Sequence, residues 1–477
     1  MGYMEELMKE RHMRLFREYD MRGFYPEDIN SEVACRVAKA LTTYLKCRNV
    51  AISRDSRRSG KEIADGLIRG FTELGVNVID LGMNGTDFLY FSVGYYGYDA
   101  GVQITASHMP KDFNGMKIVG KNAHPIAMNF GLEKVKKIYD NGKFRKVSEK
   151  KGKVTQKDIT NDFINSCLSF IDLKKIKPFK VVFDAGNGVG GLLINKIFKN
   201  VNCDIMPLNF DPDGHFPVHD PNPFLASNRK QIVETIKTGN ADFGVAFDGD
   251  ADRTIFIDEN GNYINGEFIV GVLAAEMLKK KGKGDIIHES RAEWFIRNMA
   301  EKYGGNPVRV RCGHAYFKNE MNKRKALFGG EKSGHIFYNF DNFMVDNALI
   351  PILQIMEMMS KYNKKFSEIF EETHSYHDSL EMNFDVTKAV GDTHDEKFSF
   401  VVNKVEEHFT QEKYGKYEIN RLDTLSVDYH DWRFNLRPSA NDPVLRLNIE
   451  AKTKELLENR IIEMTTYMEK YSEMLPL

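Results

Sequence analysis

The sequence predicts an α/β protein made of three similar α/β units followed by a smaller α+β unit. Three observations predict it. An apolar run, a polar loop, a helically spaced segment and a second apolar run recur in that order three times. Strand, loop, helix and strand form the βαβ unit, whose sheets carry ligand loops at the carboxyl ends of their strands. At 477 residues the chain exceeds what one core serves, and length alone suggests about three or four domains. After Tyr376 the pattern changes to hairpin-like strands set between helices.

The first copy is a strand over 49–53, a polar loop at 54–57, helical spacing at Ile63, Leu67, Phe71 and Leu74, and a strand at 76–79. The second is 180–183, the loop Asp184-Ala-Gly-Asn-Gly188, a helix over 192–198, and 203–206. The third is 285–287, the loop His288-Glu-Ser-Arg291, a helix over 294–303, and 307–310. The basic, Gly-containing stretch 141–153 lacks apolar periodicity and reads as a linker, and 154–170 reads as a helix opening the second unit. A second boundary falls near 260–266, and helical spacing from Ala348 continues to Phe370. The expected domains are therefore 1–153, 154–260, 261–374 and 375–477. The last holds helices over 397–408 and from Lys454, with strands within 426–436 and at 444–451.

A formal net charge of −1 argues against a nucleic acid or a membrane surface as the main partner. No apolar run approaches the roughly 20 residues that span a bilayer, and the first residues are charged, without the apolar centre of a signal peptide. The five cysteines, Cys35, Cys47, Cys167, Cys203 and Cys312, include no Cys-x-x-Cys pair. That set fits the reduced thiols of a cytoplasmic protein better than a disulfide framework or a zinc site. Small molecules are the expected partners; oligomeric state is not legible.

Chemistry concentrates in Asp248-Gly-Asp250-Ala-Asp252-Arg253, between the apolar runs 243–247 and 254–257. Three alternating carboxylates repel one another unless a cation sits among them, and the small spacers let the backbone curl toward one ion. Oxygen-only ligation favours Mg²⁺ or Ca²⁺. An EF-hand loop is excluded: Glu259 fills its twelfth position, but the sixth, which needs Gly, is Arg253, and the flanks read as strands. A plain solvated turn is the remaining rival. Asp258-Glu-Asn-Gly261 reads as the following hairpin turn.

Three further stretches stand out. In Thr105-Ala-Ser107-His108-Met-Pro110, Ser107 sits on a turn after a strand, where a serine can simply bond its own backbone. Asn114-Gly115 can turn the chain back and bring Lys117 toward the hydroxyl. In Gly329-Gly-Glu331-Lys-Ser333-Gly-His335, Glu331 and Ser333 would face one way on an extended segment and suit vicinal sugar hydroxyls. Arg437-Pro-Ser439, between apolar runs, suits a phosphate grip. A surface turn and a solvated arginine are the plain alternatives for the last two.

Together with Phe16-Arg-Glu-Tyr19-Asp-Met-Arg22-Gly23, these stretches, in this order, resemble the motifs of the alpha-D-phosphohexomutases across nearly the whole chain. The resemblance implies a four-domain, heart-shaped architecture around a central cleft, each domain giving one loop. It implies a resting phosphoserine at Ser107, with Mg²⁺ held by Asp248, Asp250, Asp252 and Ser107, and a hexose 1,6-bisphosphate that primes the serine. Phosphate would move between the 1- and 6-positions of a hexose through a bisphosphorylated sugar. Arg22, His108, Lys117 and His314 would serve the chemistry. Tyr19, Arg253, Glu331, Ser333, His335, Arg437, Ser439 and Asn441 would hold the substrate.

Lys332 stands where the glucosamine branch of the family has Gln and the mannose/glucose branch more often has Met, so it decides neither. The stretches 343–349 and 432–439 look more like the mannose/glucose branch. Two departures are present: Ala440-Asn441-Asp442-Pro443 replaces the usual Asn-Thr-Glu-Pro or Gly-Thr-Glu-Pro, and His288 stands where some members have lysine. The rival readings are a metal-dependent phosphatase, a glucosamine-phosphate mutase, and a sugar-phosphate-binding homologue without turnover.

Overall fold

Four sheets organise the chain; the first reaches past the expected boundary at 153 through Val154–Gln156, and the second past that at 260 through Tyr263–Ile264. The computed structural model describes residues 15–291, 293–439 and 444–475, without the side chains of Asn200 and His374. In the first sheet the strands run in the order Met21–Phe24, Phe113–Gly120, Ala100–Ile104, Asn49–Arg54, Asn77–Met83, Val154–Gln156. Asn49–Arg54 is parallel to both neighbours, and Val50, Ala51 and Ile52 are fully buried. A strand covered on both faces needs such an unbroken apolar run. Helices Ser31–Leu45 and Gly60–Glu73 share one core with it, while Thr86–Tyr96 belongs to another.

The second sheet is ordered Tyr263–Ile264, Thr254–Asp258, Phe243–Phe247, Phe179–Asp184, Cys203–Leu208. Phe243–Phe247 and Thr254–Asp258 pair antiparallel, so Asp248–Arg253 forms the tip of a hairpin. The next turn is tied by Asp258 Oδ1, which accepts from the amides of Asn260 and Asn262, as the hairpin reading expected. The third sheet is ordered Asn306–Val310, Asp285–Glu289, Phe328–Gly330, Ile336–Asn339, Met344–Asp346. The last joins Tyr417–Asn420, Leu425–Tyr429, Trp432–Pro438, Val444–Ala451, Met382–Asp385 and Glu473–Met474, with His377–Asp378 also paired to Val444–Ala451.

Three readings of the sequence are corrected. Val154–Gln156 is not helical: it adds a parallel edge strand to the first sheet, and the helix begins at Thr160. The helix from Leu349 ends at Tyr362, where Asn363 turns left-handed, and a separate short helix covers Phe366–Ile369. Asn114-Gly115 is no turn but part of the strand Phe113–Gly120, between two partners. A Cβ on Gly115 would lie 2.1 Å from the Met21 carbonyl oxygen and 2.8 Å from that of Thr105, so Gly is required there by close strand packing.

One continuous apolar core runs through the first three units, from Phe88, Phe91 and Val93 through Phe163 and Phe183 to Leu273, Phe328 and Val345. The Phe91 ring meets Phe163 of the second unit and Phe340 and Phe343 of the third, with centroids 5.4, 5.9 and 6.1 Å away. The fourth unit has its own core around Phe384, Val401, Phe409, Trp432, Phe434 and Leu447. Among the described residues no helix is long and apolar enough to cross a membrane.

Candidate active site

The serine loop and the acidic loop meet. After strand Ala100–Ile104 the chain enters a tight turn in which Ser107 takes a left-handed φ of 55°. Its amide donates to Thr105 Oγ1 at 2.7 Å, and Thr105 Oγ1 donates to Asp55 Oδ2 at 2.6 Å. Buried Arg57 holds the loop from beneath, donating to the carbonyls of Ser107, Met109, Pro110 and Phe113 at 2.5–2.9 Å. So fixed, Ser107 Oγ donates to Asp248 Oδ2 at 2.8 Å across the boundary between the first two units. Gly249 permits this approach, because a Cβ there would lie 2.7 Å from the Ser107 carbonyl oxygen. Ala251, at φ 52°, curls the acidic loop as its small spacers suggested.

Asp248, Asp250 and Asp252 are all buried and present oxygens within 4.8 Å of one another. Lys117, opposite Gln103 in the first sheet, lands on this triad, with Nζ 2.6 Å from Asp250 Oδ2 and also bonded to Asp252. Lys117 thus arrives along a strand and not around a turn. Thr86 adds its hydroxyl to the Asp250 carboxylate and its amide to the Asp250 carbonyl. Burial, then repulsion from Asp250 and Asp252, pushes Asp248 up to about 7. Burial would raise Asp250 too, but the Lys117 ammonium overcomes it and holds Asp250 below the usual carboxylate range. Asp250 Oδ1 and Asp252 Oδ1 are buried without a hydrogen-bond donor among the described groups. Unsatisfied buried carboxylate oxygens are costly, and an all-oxygen set of this size fits a hard divalent cation.

Arg253 and His335 close the side toward the third unit. Arg253 Nε lies 3.6 Å from Asp248 Oδ2 and donates to His335 Nε2 at 3.0 Å. His108 Nδ1 is 3.3 Å from Ser107 Oγ, and burial, with Arg253 and Arg22 nearby, keeps the ring well below its usual pKa and neutral. Arg22 is tied to Asp20 at 2.7 Å and to the Ala106 carbonyl at 3.3 Å, beneath the serine turn.

A second group lies toward the fourth unit. Tyr19 donates to the Cys312 carbonyl at 2.7 Å, and its ring stands 5.9 Å from His314, itself 5.9 Å from His335. Glu331 accepts from the Gly313 amide at 2.7 Å, and burial raises its pKa. The 331–335 segment is a tight hairpin turn, not extended: the Glu331 amide donates to the His335 carbonyl and the Gly334 amide to that of Glu331. Ser333 is half-buried on it. Lys332 faces away from this group, donating to Ser379 O at 3.0 Å beside Asp378. Arg437 is buried 3.7 Å from Asp423 and 3.9 Å from Glu381, and the Ser439 amide donates to Val444 O at 2.8 Å. Asn441 lies outside the described residues.

Several neighbours escaped the sequence reading. Arg57 and Arg291 are buried on loops following strands of the α/β units, and buried Thr86 opens the helix Thr86–Tyr96 after such a strand, positions the βα rule would have raised. Arg291 grips Glu289 with two nitrogens at 2.7 and 2.9 Å and reaches Glu381 at 2.8 Å, close to Arg437. Lys318, Asp346 and Glu381 gave no local signal; their partners are at least 28, 11 and 56 residues away.

Comparison with known proteins agrees with this arrangement. Models of phosphoglucomutase/phosphomannomutase alpha/beta/alpha domains I, II and III match residues 13–146, 161–261 and 265–376. The chain is 34% identical over 449 residues to a phosphomannomutase of Escherichia coli (strain K12), covering 93% of this chain and 96% of that protein. Against a protein named phosphohexose mutases of Xanthomonas campestris pv. campestris (strain B100) the identity is 33% over 455 residues, covering 95% and 98%. A solved structure of a phosphoglucomutase/phosphomannomutase family protein from Burkholderia thailandensis superposes with a TM-score of 0.84 at 26% identity, over 96% of this chain and 97% of that one. With three domain models matched in order and full-length relatives above 30% identity, the chain belongs to the phosphoglucomutase/phosphomannomutase family and is a hexose-phosphate mutase.

Proposed function

We propose that Ser107 is the phosphoryl carrier of this mutase and that its substrates are the 1- and 6-phosphates of mannose and glucose. The observation that carries the reading is Ser107 Oγ, 2.8 Å from Asp248, beside the acidic triad and two cations, buried Lys117 and half-buried Arg253. Asp248, Asp250 and Asp252, with an oxygen on Ser107, would hold Mg²⁺, which when bound neutralises charge on the transferring phosphoryl group.

The chain's own residues then divide the work. A sugar hydroxyl attacks phosphorus in line, the new sugar O–P bond forms, and the Ser107 Oγ–P bond breaks. Lys117, Arg253 and Arg22 stabilise charge on the equatorial oxygens from fixed positions. His108, neutral and 3.3 Å from Ser107 Oγ, is placed to take the hydroxyl proton and return it. The bisphosphorylated sugar reorients and gives its other phosphate back to Ser107. Glu331 and Ser333 would bind sugar hydroxyls, with Tyr19, His314 and His335 lining the way between the two groups. Arg437, Ser439 and Asn441 would grip the phosphate that is not reacting, joined by Arg291, which compensates for the donors missing from 440–443. Hexose 1,6-bisphosphate would prime Ser107. The relatives named phosphomannomutase support mannose. The free thiols, four of them buried, support a cytoplasmic location.

Phosphorus NMR tests this with Mg²⁺, a trace of glucose 1,6-bisphosphate, and mannose or glucose 1-phosphate. Conversion to the 6-phosphate without inorganic phosphate, abolished in Ser107→Ala, is expected. Release of inorganic phosphate, or unchanged conversion by Ser107→Ala, would overturn it; conversion of glucosamine 1-phosphate alone would overturn the sugar assignment.

A further inference from the structure

Behind the two reacting loops runs a buried line of charged groups that the chemistry above does not use. Lys318, on helix His314–Arg324, and Asp346, ending strand Met344–Asp346, are both fully buried and pair at 2.9 Å. The Lys318 ammonium also stands 3.7 Å from the centroid of the Tyr90 ring, which comes from the first unit. The other Asp346 oxygen faces His335 Nδ1 at 3.2 Å, off the straight N–H line. On the far side of the ring, His335 Nε2 receives the Arg253 Nε–H at 3.0 Å. A ring nitrogen that accepts a hydrogen bond carries no proton, so the proton of this imidazole resides on Nδ1, facing Asp346. Arg253 in turn donates its amide to Asp248 Oδ1 at 3.3 Å, and Asp248 accepts from Ser107.

Asp252, His335 and Asp346 also offer atoms within 4.8 Å of one another, as a second cation cage would. Lys318 already stands on Asp346, so its ammonium fills that role. A buried ion pair rarely improves stability over apolar side chains of the same volume, and its best-attested use is to fix one arrangement among several. Here the arrangement fixed is that of His335 and, through it, Arg253.

We propose that Asp346 and Lys318 are positioning residues: Asp346 sets His335 in the Nδ1–H tautomer, whose bare Nε2 holds the Arg253 guanidinium against Asp248 and Ser107, and Lys318 pins Asp346. The inference rests on the reading of Ser107 as phosphoryl carrier. It accounts for three buried charged or titratable side chains of the third unit that reach a reaction carried by the first two. Without the correct tautomer, Arg253 meets an N–H in place of an acceptor and swings away from the transferring group. Removing an outer partner that orients a metal-bound histidine typically costs about 10- to 100-fold in activity, and an effect of the same order is expected for the orientation of His335.

The test uses the full chain with Asp346→Asn, Lys318→Met and the double variant. Asp346→Asn is expected to lower kcat about 10- to 100-fold with KM nearly unchanged. In ¹⁵N spectra of histidine-labelled protein, the His335 signals, assigned by their loss in His335→Gln, should report Nδ1–H in the parent and a mixture in Asp346→Asn. The double variant leaves no unpaired buried charge, so it should keep the parent's melting temperature while kcat stays low. It therefore keeps the test decisive if a single variant fails to fold. Recovery of the parent's kcat in the double variant would overturn the proposal, since the pair would then merely neutralise itself. An Nε2–H tautomer in the parent would overturn it equally. The spectra need no substrate, so this failure is distinct from failure of the carrier assignment, which Ser107→Ala alone decides.

Discussion

Arg57 shows how much a single side chain can settle. Its guanidinium spans four carbonyls of the turn that carries Ser107 and is itself held by Asp55 at 3.2 Å. Lysine cannot reproduce a planar fork, so Arg57→Lys should leave buried carbonyls without donors, at about 1–3 kcal/mol for each. The expected outcome is a lower melting temperature and a fall in kcat exceeding any rise in KM, read by thermal denaturation and steady-state kinetics. Arg57 also marks what was legible at this scale. Ser107 and the three aspartates announce themselves because their signal is local: spaced carboxylates, small spacers, a polar turn after an apolar run; the sequence raises Lys117 through a turn that the fold replaces with a strand. Arg57, Arg291, Lys318 and Asp346 look like ordinary charged residues until the fold removes them from water and supplies partners from distant segments.

Among the elements, all three βαβ repeats and both C-terminal helices form where the apolar spacing placed them, within a few residues. The misread segments share a cause: tertiary partners decided them. Val154–Gln156 is exposed and polar enough to pass as a helix start, yet the open edge of Asn77–Met83 captures it. Asn-Gly at 114–115 has the composition of a hairpin turn, but strands on both sides of Phe113–Gly120 hold it extended. Gly115→Ala tests that account. With two carbonyl oxygens within 2.8 Å of the new Cβ, the backbone must shift, and a loss of about 3 kcal/mol is expected, measured by denaturant titration. If Asn114-Gly115 were a free turn, alanine there would have little effect. The same shift would displace Lys117, two residues on, so activity should fall together with stability.

At the scale of the molecule, three units share one apolar core, whereas the fourth has its own and is joined to them through hydrogen bonds, ion pairs and the contact of the Tyr376 ring with Phe295. Arg433 donates to Ser290 O at 2.9 Å, Glu450 accepts from the Trp294 amide at 3.0 Å, and Arg291 reaches Glu381 at 2.8 Å. Glu293 sits in this seam. Burial would raise its pKa, but His288, Arg433 and Arg309 outweigh that and hold it at about 2, against 4.5 for the free side chain. A carboxylate depressed in the folded state contributes stability above its unfolded pKa and loses it as pH falls through the folded value. Its contribution, about 3 kcal/mol by that difference, should therefore vanish between roughly pH 4.5 and 2. Calorimetry across this window should show the transition of the fourth unit separating and moving down first, and Glu293→Gln should flatten that movement. A single joint transition at all pH values would contradict the division of cores.

That division also governs how such an enzyme can diversify. A unit with its own core can be replaced, or its 437–443 loop rewritten, without repacking the part that holds Ser107 and the acidic triad. The grip proposed for Arg437 and Ser439 is in this sense separable from the part that holds Ser107 and the acidic triad, whereas Glu331 and Ser333 stay with that part.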